Sequence, residues 1–500
     1  MGGMYSLSVT DAARRGYKLE PAREERSMTP SALRPLALIC LIALPVGARA
    51  EAPTGPARPS AKVAAKAPPP RCVIAPVDLA ITPRVSLNAL RSPCARNYLG
   101  LALGVSKAGE LRGLQIALGA NGVERDAMGL QVALGVNGVG SDAKGVQLAG
   151  LVNAAGESFT GFQIAGLINA GGEDVTGLQL AGLGNASGEG ATGIQLSGLF
   201  NASGEGATGI QVAGLFNAAG EGLRGAQVSL LFNAAGGGGA AIQVAGLFNA
   251  IGGPATGAQL AGLFNAAERL RGLQIAGGMN AVENGEGMQA ALGYNRALGQ
   301  LDGVQIAALN VGRDVHGAQI GLVNIARDVH GMQLGLVNVA DHADAPIGAV
   351  SWVRSGERAL EVWGGEALAL SAGFRLGTER IYSLVGLASG PLVDGNPWGP
   401  VGGAGVKGRF GRIGVLVDAL VHGLFFDGID EQALLVQARA RLAYDLTPRL
   451  ALVAGPTWNL FVSGDRDGTD LPLGADTVDR SGDRVVRQWP GLTAGAALRW

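Results

Sequence analysis

A glutamine that recurs at a regular interval constrains this chain of 500 residues more than any other feature. The interval is 16 residues between the first ten glutamines, and it lies between 14 and 16 residues for the five that follow. An asparagine comes six residues after each glutamine in the first twelve repeats and five residues after it in the last three. The glutamines are Gln115, Gln131, Gln147, Gln163, Gln179, Gln195, Gln211, Gln227, Gln243, Gln259, Gln274, Gln289, Gln305, Gln319 and Gln333, and the asparagines are Asn121, Asn137, Asn153, Asn169, Asn185, Asn201, Asn217, Asn233, Asn249, Asn265, Asn280, Asn295, Asn310, Asn324 and Asn338. Fifteen tandem repeats therefore decide the fold of residues 113–343.

The pattern within a repeat predicts two short strands joined by two bends. Each repeat reads approximately Gly-x-Gln-φ-Ala-Gly-Leu-x-Asn-Ala, where φ is Ile, Leu or Val, and side chains alternate around the glutamine as they do in strands. Within one continuous strand, loss of a residue between glutamine and asparagine would move the rest of the repeat to the opposite face. The change from six residues to five therefore predicts a bend, at the Ala-Gly step of repeats such as Ala181-Gly182. The variable interval before the next glutamine predicts a second bend, so each repeat is one coil of a parallel β-solenoid.

Stacking of such coils predicts ladders of identical side chains along the rod. Equivalent residues of neighbouring coils lie about 4.8 Å apart, a distance at which glutamine and asparagine amides bond to their own kind. Fifteen coils at that rise give a rod of roughly 70 Å, and residues 72–112 are expected to cap its start, with residues 95–110 as an atypical entry coil. One apolar column should contain Phe200, Phe216, Phe232, Phe248 and Phe264.

In the alternative fold, every repeat is one strand of a single large antiparallel β-barrel. About ten residues would span the membrane, with Leu114, Ile116 and Leu118 facing lipid and with Gln115 and Asn121 facing the lumen. The low content of charged residues, 16%, suits this alternative. Antiparallel neighbours point in opposite directions, however, and nothing requires both to carry the same motif. The parallel solenoid is therefore the preferred prediction for this all-β chain.

Residues 344–500 differ in composition from the repeats, because all six tryptophans lie after residue 350. Here the alternation is long, with Val436, Leu442 and Tyr444 on one face and Arg439 and Arg441 on the other. Long strands with an apolar outside and a polar inside predict an antiparallel transmembrane β-barrel. Eight to ten strands fit this length, with an even number favoured, and a soluble sandwich is the alternative.

Two resemblances extend these predictions. Residues 317–326 (GAQIGLVNIA) and 331–340 (GMQLGLVNVA) closely resemble the tandem units of bacterial cell-surface repeat proteins, and residues 113–340 follow the same pattern more loosely. The resemblance implies a location in the cell envelope and transfers no catalytic residue. The end of the chain, with Leu498 and Trp500, resembles the C-terminal signal of outer-membrane β-barrel proteins. This second resemblance implies outer-membrane lipid and the barrel-assembly machinery as partners.

The N-terminal residues predict export. Residues 28–50 combine a basic start, a short apolar run and the small residues of a cleavage site, which predicts a signal peptide over residues 1–50 with the true start at Met28. Residues 51–71 are rich in Pro and Ala and predict a disordered linker. Cys72 and Cys94 are then the only cysteines of the mature chain, and export favours a disulfide between them over two free thiols.

Charge and motif content argue against several function classes. Lys and Arg number 39 against 40 Asp and Glu, so no net charge recruits nucleic acid. No catalytic constellation stands out, and we expect neither enzymatic activity nor a cofactor. The candidates for a metal site are His316, His330, Asp465, Asp467 and Asp470. The prediction is a non-catalytic, structural or adhesive surface-repeat protein anchored in the outer membrane, and the alternative is a transport pore whose strands include the repeats.

Overall fold

The computed structural model describes residues 72–88, 94–390, 396–426, 431–464, 477–481 and 484–500, and its regular elements there are all β-strands. The predicted signal peptide and linker lie outside the described residues. In the part of the chain that the structure describes, no helix has the length and apolar character needed to cross a membrane.

The strands fall into a cap, a rod and a barrel. The cap contains β1 (Val73–Ile74), β2 (Val77–Thr82) and β3 (Val85–Ser86). The rod contains β4 (Ala95–Ala102), β5 (Val105–Ala108), β6 (Glu110–Ala117), β7 (Ala120–Val123), β8 (Ala127–Ala133), β9 (Val136–Val139), β10 (Ala143–Ala149), β11 (Val152–Ala155), β12 (Phe159–Ala165), β13 (Ile168–Gly171), β14 (Val175–Ala181), β15 (Gly184–Ser187), β16 (Ala191–Ser197), β17 (Phe200–Ser203), β18 (Ala207–Ala213), β19 (Phe216–Ala219), β20 (Leu223–Ser229), β21 (Phe232–Ala235), β22 (Gly239–Ala245), β23 (Phe248–Ala261), β24 (Phe264–Ala276), β25 (Met279–Ala291), β26 (Tyr294–Ala297), β27 (Gln300–Ile306), β28 (Leu309–Val311), β29 (Asp314–Ile320), β30 (Val323–Ile325), β31 (Asp328–Leu334), β32 (Val337–Ala340), β33 (His342–Ile347) and β34 (Val350–Val353). The barrel contains β35 (Glu357–Gly365), β36 (Leu370–Gly377), β37 (Ile381–Ser389), β38 (Trp398–Phe410), β39 (Ile413–Phe426), β40 (Glu431–Asp445), β41 (Leu450–Ser463), β42 (Thr477–Ser481) and β43 (Arg484–Arg499).

The rod is a parallel β-solenoid, as the repeat predicts. Each strand pairs in parallel with its equivalent one coil away, so that Gln131 lies opposite Gln147 and Asn137 opposite Asn153. A long strand and a short strand alternate along most of the chain, and two corners complete each coil. This parallel register shows that the alternative, one large antiparallel barrel built from the repeats, is wrong.

The predicted bend between glutamine and asparagine is confirmed. In a 16-residue coil, β14 ends at Ala181 and β15 begins at Gly184. In a 14-residue coil, β29 ends at Ile320, one residue nearer its glutamine, and β30 begins at Val323. The corner therefore absorbs the missing residue, and both amides keep their direction into the core.

The rod is longer than the repeat motif. Strands β4 and β5 already pair in parallel with β6 and β7, and β33 and β34 add a coil after the last motif. The entry coil expected within the cap over 72–112 is formed by β4 and β5, and at the other junction the rod continues past residue 344 to Val353 before the first barrel strand begins at Glu357. Trp352 belongs to the last coil, so tryptophan content does not mark the boundary. These end coils lack the glutamine and asparagine of the motif: Gly100 and Ser106 lie opposite Gln115 and Asn121, and Pro346 and Ser351 lie opposite Gln333 and Asn338.

The glycine two residues before the glutamine, present in fourteen of the fifteen repeats, has a backbone reason. The exception is Ala241, and in that coil the glycine with positive φ is Gly239 instead. Gly129 has φ of +138°, a conformation that residues with a side chain rarely adopt. A Cβ atom at this position would lie 1.9 Å from the carbonyl oxygen of Gly113 in the preceding coil. Gly138 in the same coil has open space, since the nearest atom to a Cβ there is the oxygen of Asn121 at 3.9 Å.

The C-terminal sheet closes into an antiparallel barrel of eight strands. Each of β35 to β40 pairs with the next, β41 pairs with β43, and β43 returns to β35, while β42 forms a hairpin with β43. One end of the barrel has short turns at residues 378–380, 411–412 and 446–449. Residues 354–356 connect the rod to this end, and the backbone nitrogen of Ser351 donates to Ser383 Oγ at 2.9 Å.

The glycine geometry predicts different outcomes for two single substitutions within one coil. Gly129→Ala should open the neighbouring coils, because the new methyl group meets a carbonyl oxygen and the backbone conformation is strained. Gly138→Ala should be tolerated, since other repeats carry alanine there, such as Ala154. Hydrogen–deuterium exchange of the full chain measures both: amides of residues 113–139 should exchange at least about tenfold faster in Gly129→Ala alone. Equal exchange in the two variants would contradict this account.

Candidate functional site

A continuous ladder of glutamine amides runs through the core of the rod. The Nε2 atom of each glutamine donates to Oε1 of the glutamine one coil earlier, from Gln131 onto Gln115 at 2.9 Å to Gln333 onto Gln319 at 2.8 Å. Their side chains are buried throughout. Bonds of this kind join Gln115, Gln131, Gln147, Gln163, Gln179, Gln195 and Gln211 as predicted.

A second ladder of asparagine amides runs in the opposite direction. Asn121 Nδ2 donates to Oδ1 of Asn137 in the next coil at 2.9 Å and to the carbonyl oxygen of Val132 at 2.8 Å. The Asn121 side chain therefore binds both a side chain and a main-chain oxygen of the next coil, at the corner. The same ladder joins Asn121, Asn137, Asn153, Asn169, Asn185, Asn201 and Asn217. Because a buried amide without partners costs about 1–3 kcal/mol, these ladders fix the parallel register of the coils.

Two serines that the sequence analysis missed lie at the ladder ends. Gln115 Nε2 donates to Ser106 Oγ at 3.0 Å at the start of the glutamine ladder. Asn338 Nδ2 lies 3.4 Å from Ser351 Oγ at the end of the asparagine ladder. Both serines occupy the register position of the asparagine in their coils. The sequence does contain a signal for these serines. Each is a small polar residue at the position where the repeat spacing places an asparagine, in a coil that lacks the other motif residues.

The apolar side chains that alternate with these amides point outward, an inversion that the sequence analysis did not predict for the rod. Leu134 and Leu230 are 68% and 67% exposed, while Gln131 and Asn137 beside them are buried. Phe200, Phe216, Phe232, Phe248 and Phe264 form the predicted column on this surface, with ring centroids 4.9–5.7 Å apart. The buried apolar column, including Val139 and Ala143, lies under the opposite, charged edge.

The barrel, like the rod, encloses polar side chains, which here are charged groups. Arg439 Nε and Arg441 Nη2 each donate to Asp418 at 2.6 Å, and Arg441 also bonds to Glu361. Arg375 Nη1 donates to the second oxygen of Glu361 at 2.7 Å. The interior also contains an apolar cluster whose largest side chains are the tryptophans Trp363 and Trp489. The charged partners are separated by up to 80 residues in sequence, as in Arg441 and Glu361, so no local sequence pattern could predict which groups pair.

The remaining predicted site residues divide into three groups. Cys72 and Cys94 form the expected disulfide. His316 and His330 stack with ring centroids 4.8 Å apart, but no group of three potential metal ligands occurs among the described residues. The candidate calcium residues Asp465, Asp467 and Asp470 lie outside the described residues.

The residues predicted as the C-terminal signal lie on the outer surface of the barrel. Leu498 is in β43 and Trp500 follows that strand, and both are about half exposed. The ring of Trp500 meets Phe374 edge-on, with centroids 6.2 Å apart. The end of the chain therefore presents apolar side chains outward beside the short-turn end.

The charged edge of the rod carries a column of like charges at Glu157, Glu173, Glu189, Glu205 and Glu221. The backbone nitrogen of Glu205 donates to the oxygen of Glu189 at 3.0 Å, so the chains carrying these carboxylates are direct neighbours. Desolvation, followed by the charges of Glu205 and Glu173, raises the pKa of Glu189. An acid whose folded-state pKa is raised opposes folding when ionised, so the ionised Glu189 carboxylate destabilises the rod at pH 7 and not below about pH 4.

Comparison with known proteins adds no relative, since no family model, no curated protein and no solved structure matches this chain.

Loss of one ladder amide should destabilise the coils around it. In Asn201→Ala, the side-chain oxygen of Asn217 and the carbonyl oxygen of Val212 both lose the amide that donates to them. The free energy of local opening should fall by about 2 kcal/mol, which makes nearby backbone amides exchange about 30-fold faster. Leu199→Ala is the control, because Leu199 lies on the same corner and is exposed. Hydrogen–deuterium exchange of the full chain, measured by mass spectrometry, compares the two variants. Equal exchange rates in both would show that the amide ladder does not stabilise the coils more than the exposed leucine does.

Removal of the central charge of the glutamate column should stabilise the rod in a pH-dependent way. Glu189→Gln should raise the thermal midpoint by on the order of 1 °C at pH 7 and leave it unchanged near pH 4. The same substitution at Glu124 should give no rise, because Lys107 Nζ lies 2.8 Å from that carboxylate. Circular dichroism of the purified chain at both pH values is the measurement. A rise for both variants, or one that persists at pH 4, would contradict the assignment.

Proposed function

We propose that the chain is a non-catalytic structural protein of the bacterial outer membrane, in which the barrel is the anchor and the solenoid is a rod held on its short-turn side. The observation that carries the proposal is the inversion of the barrel: charged pairs inside and apolar side chains outside. Val417, Leu442 and Leu452 are each about half exposed or more, while Arg439 and Arg441 on the neighbouring register are buried. A water-soluble barrel would not present large apolar side chains outward along its strands while it encloses charged pairs.

Aromatic side chains at the short-turn end support a membrane location. Phe410, Tyr444 and Trp500 are exposed there, and Trp398 is exposed near the opposite end. Aromatic girdles of this kind are typical of the two interfaces of outer-membrane barrels. An even number of strands, eight, also fits that class.

The connectivity supports a periplasmic rod. Outer-membrane barrels have short turns on the periplasmic side and longer loops outside. The rod joins the barrel at the end that has the short turns, and an eight-stranded barrel filled by side chains cannot pass it through the membrane. The connectivity therefore favours a rod in the periplasm over a rod on the cell surface, the location that the family resemblance favours.

The barrel interior argues against transport. Among the described residues, the interior is occupied by the pairs of Asp418 and Glu361 with arginines and by a cluster that includes Phe461 and Trp489. Breaking such a buried pair costs about 3–5 kcal/mol, so these groups do not separate readily to open a channel. An anchor needs no such opening.

Cysteine accessibility in a Gram-negative host tests the anchor and its orientation. Gly464→Cys follows β41 at the end opposite the short turns, where the added side chain meets no atom within 4 Å. Glu205→Cys lies on the exposed charged edge of the rod. Cys72 and Cys94 are joined in a disulfide and do not react, and Cys40 in the predicted signal peptide is replaced by serine in every variant. A membrane-impermeant maleimide should label Gly464→Cys in intact cells and Glu205→Cys only after the outer membrane is permeabilised.

Each other outcome rejects a defined part of the proposal. Labelling of Glu205→Cys in intact cells would place the rod outside and favour the surface-repeat interpretation. Release of the protein from membranes by alkaline carbonate would reject the barrel as an integral anchor. Glu221→Cys, one coil further along the same edge, is the matched repeat of the rod measurement.

A further inference from the structure

One edge of the rod is uncharged along its whole length. The segment from the residue before each glutamine to the following asparagine contains no Asp, Glu, Lys, Arg or His in any of the fifteen repeats. The charged residues of the repeats all lie in the other half of the coil, where the glutamate column lies. The rod is therefore amphipathic across its width, with an apolar edge and a charged edge.

The apolar edge is exposed rather than packed within the chain. Its most exposed side chains are Leu134 at 68%, Leu230 at 67% and Leu292 at 82%. The residue after each glutamine adds a row that includes Ile164, Leu180, Val212, Val228, Val244, Ile275, Ile306 and Leu334. An apolar surface that continues for roughly 70 Å is far larger than the isolated patches of ordinary soluble proteins.

The backbone of this edge is already satisfied. At one corner, the nitrogens of Leu167 and Ile168 donate to the oxygen of Leu151 at 2.9 and 3.1 Å. Equivalent bonds join successive corners along the rod, and the asparagine amides bond to carbonyl oxygens just beneath them. A hydrocarbon environment excludes structures with unsatisfied backbone groups, and this edge meets that requirement without help from water.

The chemistry of the edge favours lipid over a protein partner. Protein interfaces carry about one hydrogen bond per 100–200 Å² and depend on irregular shape for specificity. This edge presents columns of repeated Leu, Ile, Val and Phe and offers no charged group to a partner. The cap extends it, because Val77, Leu79 and Ile81 point outward from β2 while Asp78 is buried.

The apolar edge also continues into the last coil before the barrel. The last coil contains exposed Ile347 and Trp352, and three residues separate β34 from β35. The guanidinium of Arg358 lies 5.3 Å from the ring of Trp352, at the start of the barrel. Ile347, opposite Leu334, thus carries the apolar edge into the last coil, whereas Trp352 lies just outside it, opposite Val339; the barrel that follows has an apolar outer face.

We propose that the apolar edge of the solenoid is seated in the acyl-chain region of a membrane leaflet, so that the rod lies along the membrane with its charged edge in water. Amphipathic elements seated in this way bury their apolar side about 5–10 Å below the headgroups. Seating beside the barrel rests on the proposed function, since it assumes that the barrel supplies the membrane.

Depth-dependent quenching in phosphatidylcholine vesicles tests the inference, on the full chain with Cys40 replaced by serine so that each variant has one reactive thiol. The environment-sensitive fluorophore NBD is attached to Leu230→Cys on the apolar edge or to Glu221→Cys on the charged edge, two sites nine residues apart in the rod. Lipids brominated in their acyl chains should quench NBD at residue 230 by about twofold or more and leave NBD at residue 221 unchanged. Leu134→Cys, an equally exposed leucine of another coil, repeats the measurement.

A label at Val417→Cys, on the outer face of the barrel, separates failure of this inference from failure of the proposed anchor. Quenching at residue 417 without quenching at residues 230 and 134 would overturn the seated edge and leave the anchor standing. Quenching at residue 230 without quenching at residue 417 would support the seated edge and reject the barrel as anchor. Concentration-dependent crosslinking between copies through residue 230, without quenching, would replace lipid by a second copy of the chain and overturn the inference.

Discussion

The two amide ladders are the interaction on which the rest of the rod depends. Each coil contributes one glutamine and one asparagine to the core, and these amides find partners only if the next coil presents the same residue in the same direction. Antiparallel neighbours cannot provide that arrangement at every step. A slip by one whole coil would preserve the ladder bonds among the 16-residue repeats. The shorter coils and the terminal serines, Ser106 and Ser351, make such a slip unfavourable because they have no equivalent one coil away.

A polar core has a direct consequence for the surface. In a strand with alternating side chains, inward amides place the intervening Leu, Ile, Val and Phe outside. The rod balances this with small apolar residues such as Val139 and Ala143 under its charged edge. The barrel solves the same problem with Arg439, Arg441 and Asp418 inside. Both parts of the chain therefore follow one principle, in which paired polar groups are enclosed and apolar groups are presented outward.

The sequence was sufficient for the architecture because its information is periodic. The interval between Gln179 and Asn185 and its shortening between Gln319 and Asn324 located the corners, and long alternation located the barrel strands. The entry coil over residues 95–110 was predicted, whereas the coil after the last motif was not, because Ser351 replaces the asparagine there and no glutamine precedes it. The outward edge of the rod and the internal pairs of the barrel escaped because they depend on which face of a closed structure is inside, a property of the whole fold that no single repeat contains.

The ladders and the apolar edge also affect each other through the surrounding medium. The glutamine and asparagine amides lie directly beneath the apolar corner, so local opening of a coil exposes them first. In water, an exposed amide finds new hydrogen-bond partners and opening costs little beyond packing. In hydrocarbon, the same amide finds none, and the cost per unpaired group is several-fold larger. In a rod seated in a leaflet, the polar core would therefore oppose local opening of the coils. This is a physical reason for a core of amides in a rod that lies at a membrane surface.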